Sequence, residues 1–225
     1  MTRIATRRHV LELRKLGKSY SQIKAELGVS KSTLSVWLRK YPLSKEQIRL
    51  LRDVSEIRIE KFRQTMQLKR EARLLSYYNE VKGTILPFSK RELLIAGLFL
   101  YWGEGGKTLR NQLSITNTDP AVLQFSLYWM IKALDISKDK IQVFTHFYDD
   151  MVVDDEINYW SKILKLPKNQ FGKPYIKESK RINLDQKGFG HGTCGLRVSN
   201  TVIKEKILMT LKVISEYSGE YISEL

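Results

Sequence analysis

The chain has 225 residues, 42% of them hydrophobic, a formal net charge of +15 and one cysteine. That length allows one large domain or two unequal ones with a real core, and the charge points to nucleic acid or an anionic membrane surface. The lone Cys194 excludes an intramolecular disulfide and a cysteine-rich zinc site, and reads as a small strand residue.

The positive charge is concentrated near the N-terminus. Residues 1–43 hold ten Lys/Arg against two Asp/Glu, residues 44–88 ten against six, and residues 89–225 nineteen against sixteen. Arg3, Arg7 and Arg8 lead into a charged helix and not an apolar one, so no signal peptide is expected. The longest apolar run, near residues 93–102, is about half a membrane span. A soluble, cytoplasmic and nucleoid-associated protein is expected.

In residues 1–43, Val10, Leu11, Leu13 and Leu16 before Gly17 predict a first helix with a glycine stop. Ile23 and Leu27 mark one face of a short second helix. Gly28 supplies the positive φ of a tight turn, Val29 plugs it, and Ser30 caps a third helix whose inner face is Leu34, Trp37 and Leu38. This is a helix-turn-helix pattern. Its second helix enters the major groove and reads bases from its N-terminal half. Lys31, Ser32, Ser35 and Val36 point outward, with Thr33 at the edge. Lys31 suits a guanine and Val36 a thymine methyl. Arg39, Lys40, Arg7 and Arg8 suit phosphates. The competing reading is a three-helix protein-interaction module, which the local charge argues against.

Residues 44–86 read as a basic helical linker. Pro42 breaks the chain, and Ser44 with Gln47 forms a capping-box pattern. No Gly or Pro follows until Gly83, so one long helix, or two pieces, is predicted. Arg58, Lys61, Arg63, Lys69, Arg70 and Arg73 make it a candidate for contacts along a DNA backbone. A solvated linker helix is the alternative.

Residues 87–225 mix helices and strands and predict an α+β sandwich with a sheet on one side. Ser89 and Glu92 cap an apolar helix that ends LIAGLFLYWGEGGK, residues 94–107. Ala96 and Gly97 would let a second backbone come close, read as the same helix of a second subunit. Strands are predicted over 112–118, 140–148, 174–178 and 194–200, and helices over 120–134, 154–164 and 202–217, with Gly188, Gly190 and Gly192 marking a loop before the last strand. Asp149, Asp150, Asp154, Asp155 and Glu156 follow His146 as an acidic cluster, either a metal site or a solvated helix start. His191 has no partner visible in the sequence.

IAGLFLYWGEG resembles the LAGLIDADG motif of homing endonucleases and of the non-cleaving regulators related to them. The resemblance covers residues 90–225, with 150–180 as an insertion. It implies a LAGLIDADG-like α/β-sandwich half-domain whose motif helices meet at a two-fold axis and whose sheets straddle DNA. It also implies that Glu104, at the end of the motif helix, binds the catalytic divalent metal. Lys107 just beyond would neutralise phosphate or polarise water, or else is a surface lysine. Four residues separate the AGL and GEG pieces here where the family pattern has two, a rotation of about 200° along a helix. One motif per chain implies a homodimer on a near-palindromic duplex. Three functions follow: a Mg²⁺-dependent homing-type DNA endonuclease, towards which the glycine-flanked acid leans; a transcriptional regulator that kept the fold without cleavage; or an architectural protein that bridges DNA.

Overall fold

The computed structural model describes residues 3–51, 54–179 and 190–223, so Gly188 of the predicted loop lies outside them. The chain divides into two compact units, residues 1–86 and 87–225. No helix among the described residues is long and apolar enough to cross a membrane.

The first unit is all helix: α1 (Arg3–Lys15), α2 (Tyr20–Leu27), α3 (Lys31–Leu38), α4 (Lys45–Arg49) and α5 (Val54–Ile85). Gly17 (φ 86°) and Gly28 (φ 69°) take the left-handed conformations that end α1 and α2. Val10, Leu13, Tyr20, Ile23, Leu34 and Leu38 form its core, with Trp37 half-buried against them. The segment read as a linker does not begin as one. Leu43, Ile48 and Leu51 make a second small core with Ile57. Glu60 of α5 is buried and takes a bidentate ion pair from Arg14 of α1, at 3.2 and 2.9 Å. From Thr65 to Pro87, by contrast, every residue is exposed. The predicted arm is thus two helices. The second runs on through Gly83, around which space is open.

The second unit runs α6 (Lys90–Glu104), β1 (Gln112–Asn117), α7 (Pro120–Lys132), β2 (Gln142–Tyr148), α8 (Val153–Leu164), β3 (Tyr175–Lys177), β4 (Thr193–Ser199) and α9 (Thr201–Ser223). Its sheet has the order β1-β4-β2-β3, antiparallel except for the parallel β2–β3 pair. The strands alternate: Leu113 and Ile115, Val143 and Phe147, Cys194, Leu196 and Val198 face the core. The unit is α+β, as expected. The stretch expected as an insertion, described here to residue 179, shares the core of the unit. Trp160 and Leu164 of α8 and Leu166 after it are buried in the same core as α6 and α7, and β3 extends the sheet.

Gly97 corrects a second expectation. A Cβ there would lie 2.0 Å from Cδ1 of Trp129 on α7, and Trp129 is fully buried. The close approach that Gly97 permits is therefore made to the chain's own indole and not to a second subunit's helix. What α6 leaves exposed is another face, carrying Ile95, Phe99 and Trp102, with the Phe99 and Trp102 rings stacked 6.0 Å apart.

Candidate nucleic-acid interface

The start of α3 is built by hydroxyls. Ser30 accepts the Thr33 amide at 3.2 Å, and its Oγ lies 2.9 Å from both Ser32 Oγ and Thr33 Oγ1. This satisfies free amides of the first turn and fixes where the helix begins. Upstream, Ser19 and Gln22 close a full capping box on α2. With Leu34 and Leu38 buried, the opposite face of α3 has to point outward. Lys31, Ser32, Ser35 and Val36 are exposed there, Val36 at 66%, and Thr33 is half-buried with its hydroxyl tied to Ser30. Arg39 and Lys40 are exposed just past the helix, and Arg7 and Arg8 are exposed on α1.

A groove of about 550 Å³ lies between the end of α3 and α5, lined in part by Leu38, Arg39, Lys40, Phe62, Met66 and Arg70. Its inner wall is an ion-pair network. Arg14 also donates to the carbonyls of Tyr41 (3.0 Å) and Lys18 (3.1 Å), and Arg63 donates to Glu60 at 2.8 Å. The Arg63 guanidinium lies 3.7 Å from the centre of the Tyr20 ring, and that of Arg14 at 4.9 Å. Burial pushes the Tyr20 phenol above its ordinary pKa, against the pull of the two arginines. Arg63, one of the basic side chains expected along the DNA backbone, is instead committed to holding α5 against the helix-turn-helix. Arg58, Lys61, Lys69, Arg70 and Arg73 remain exposed.

In the second unit, Glu104 is the exposed last residue of α6. The two glycines after it are needed for packing. A Cβ on Gly105 would lie 2.3 Å from the Tyr101 ring, and one on Gly106 would lie 2.5 Å from Ser114 Oγ. The Gly106 amide donates to the Ser114 carbonyl of β1 at 2.9 Å. Tyr101 donates its hydroxyl to the Gly106 carbonyl, and the buried Lys204 of α9 donates to both Tyr101 Oη and that carbonyl. Burial raises the Tyr101 pKa to about 12; burial, then the nearby Lys107, lowers that of Lys204. Lys107 donates to the Trp102 carbonyl at 2.6 Å, which places its charge at the negative end of α6. The site is a clamped helix end whose carbonyls are held by two ammonium groups, with the Glu104 side chain exposed.

His191 does have a partner: Nδ1 lies 2.8 Å from Glu156 Oε2, and the ring stacks 3.5 Å from Tyr159. One member of the acidic cluster is thereby engaged, and its remaining acids head α8 or precede it. Among the described residues no group of three or more His, Cys, Asp or Glu side chains is placed to hold a metal ion.

Residues 1–47 match the homeodomain-like domain family, a helix-turn-helix type that suggests DNA binding. The match does not extend into the second unit. No curated protein and no solved structure matches the chain.

Proposed function

We propose that the chain is a sequence-specific double-stranded DNA-binding protein, working as a homodimer, and that it binds without cutting, as a transcriptional regulator. The observation that carries this is the free N-terminal half of α3, where exposed Lys31, Ser32, Ser35 and Val36 back onto buried Leu34 and Leu38. Lys31 donates to guanine, Ser32 and Ser35 bond base edges, Val36 covers a thymine methyl, and Thr33 borders the groove wall. Arg39, Lys40, Arg7 and Arg8 take phosphates on either side. Two copies present two such helices to a near-palindromic site.

The cleaving alternative needs Glu104, assisted by Lys107, to share Mg²⁺ with its counterpart across paired α6 helices. The residues present do not fit that. Among the described residues of one chain Glu104 is not grouped with other acids, and the ammonium groups of Lys107 and Lys204 bond backbone carbonyls at the same helix end. The exposed stripe of α6, Ile95, Phe99 and Trp102, lies about 180° around the helix from Glu104. Two copies that met through that stripe would turn their Glu104 carboxylates away from each other. Of the GEGG glycines, Gly105 and Gly106 are accounted for by Tyr101 and Ser114, while space is open around Gly103.

The test is selection of a preferred duplex from a random pool. Lys31→Ala and Ser32→Ala should change the selected bases, at about 1–3 kcal/mol per lost contact, whereas Arg39→Ala should weaken all duplexes alike and flatten the salt dependence by about one charge. Equal effects from all three would undo the division between reading and anchoring. With Mg²⁺ the wild-type protein should leave the selected duplex whole; double-strand breaks that Glu104→Gln abolishes would restore the nuclease reading.

A further inference from the structure

We infer that the C-terminal half of α5 is a self-association helix, covered by the same stretch of a second copy running antiparallel to it. This deepens the homodimer reading by naming the surface that joins the copies.

Every residue of α5 from Thr65 to Ile85 is exposed. Most helical stability in proteins comes from packing one face. Leu74, Tyr77, Tyr78, Val81 and Ile85 are 47–61% exposed and fall within about 100° of arc, the width of an ordinary core-facing stripe. The stripe continues the face of α5 that carries Arg63, Met66 and Arg70 into the groove beside α3. Past Leu74 that face is exposed.

Spacing and charge select the occupant. Leu74, Tyr78, Val81 and Ile85 are separated by four, three and four residues, a pattern that reads the same from either end. A second copy inverted about the midpoint therefore sets Leu74 against Ile85 and Tyr78 against Val81, as a two-fold interface requires. Residues 58–73 carry six basic side chains against two acids, while residues 74–86 carry only Lys82 and Glu80. A parallel pair would align the basic halves against each other. The antiparallel pair overlaps only the neutral halves and sends the basic ones in opposite directions. A neutral aromatic patch is also a poor site for nucleic acid, whose affinity rests on basic residues.

The experiment uses the full chain without DNA. Light scattering at tens of micromolar should give twice the 26.3 kDa chain mass. Val81→Glu should return it to the monomer mass, while Phe99→Glu on α6 should stay dimeric. Cysteine pairing reads the direction independently. A mixture of Leu74→Cys and Ile85→Cys chains should crosslink through a short bis-maleimide, and each variant alone should not, because like positions then sit about 16 Å apart along the helices. The natural Cys194 is fully buried and gives little background. A monomeric wild-type chain, a dimer that forms only on a two-site duplex, a dimer broken by Phe99→Glu but not by Val81→Glu, or crosslinking of Leu74→Cys with itself would each overturn the proposal. A monomer that still selects a DNA sequence would sink the pairing alone and leave the reading of α3 intact.

Discussion

The start of α3 and the end of α6 carry the same kind of sequence signal: glycine, a small polar or acidic residue, and a lysine at a helix terminus. They are built for different purposes. At α3 the glycine, Gly28, has open space beyond its Cα and serves only the turn, leaving Lys31, Ser32 and Ser35 exposed. At α6 each close-packed glycine is filled by the chain itself: Gly97 by Trp129, Gly105 by Tyr101 and Gly106 by Ser114. A glycine in a motif reports that something approaches the backbone; the neighbours in three dimensions decide whether that is a turn, a core side chain or a partner.

The largest expected effect tests the α6 half of that contrast. Gly97→Val should destabilise the second unit by more than about 3 kcal/mol, because the first added carbon already meets the buried indole. Thermal unfolding of the variant measures it, and Trp129→Leu in the same chain should restore part of the loss. A helix that used Gly97 to meet another subunit would behave differently: the variant would lose its partner, keep its fold, and gain nothing from the second change.

The α3 half is tested through the side chain that locks α5 to the helix-turn-helix. Glu60→Ala leaves Arg14 without its buried carboxylate and should cost the first unit about 3 kcal/mol. Hydrogen exchange should show faster opening of the α1–α3 amides with those of β1, β2 and β4 unchanged. Unchanged protection of α1–α3 would mean that the caps and the small core hold the reader without α5.

These contacts also explain what was legible in the sequence. The α3 reader could be read because its cues lie within one or two turns of helix: Gly28, Val29, Ser30, then Leu34 and Leu38. Strands β1, β2 and β4 showed themselves by alternation. The capping box of Ser19 and Gln22 was equally local and was passed over, although its spacing is the usual signal. Other contacts left no trace in the sequence. Arg14 meets Glu60 across 46 residues, Glu156 meets His191 across 35, and Lys204 meets Tyr101 across 103. Periodicity likewise cannot tell that Trp160 is wholly buried or that β3 runs parallel to β2. Glu104 looked catalytic because flanking glycines have the same appearance whether they free a carboxylate or admit Tyr101 and Ser114.

The smallest expected effect separates the two units by pH. His146 on β2 lies between Phe144 and the edge of Tyr175, at 5.9 and 5.4 Å between ring centres. Burial, then the charge of Lys177, holds its pKa below the ordinary 6.5. A base with a depressed pKa takes up its proton more readily in the unfolded chain. The stability it contributes is therefore complete above pH 6.5 and is lost as the pH falls towards its folded value, with no further loss below that. The imidazole is partly solvated, so the change should be slight, and it should be confined to the second unit. A chemical-shift titration should give His146 a midpoint below 6.5, and His146→Gln should remove its share of the acid-side slope in the unfolding of β1, β2 and β4. A midpoint at or above 6.5 would mean that water reaches the ring and that Lys177 lies too far away to act on it.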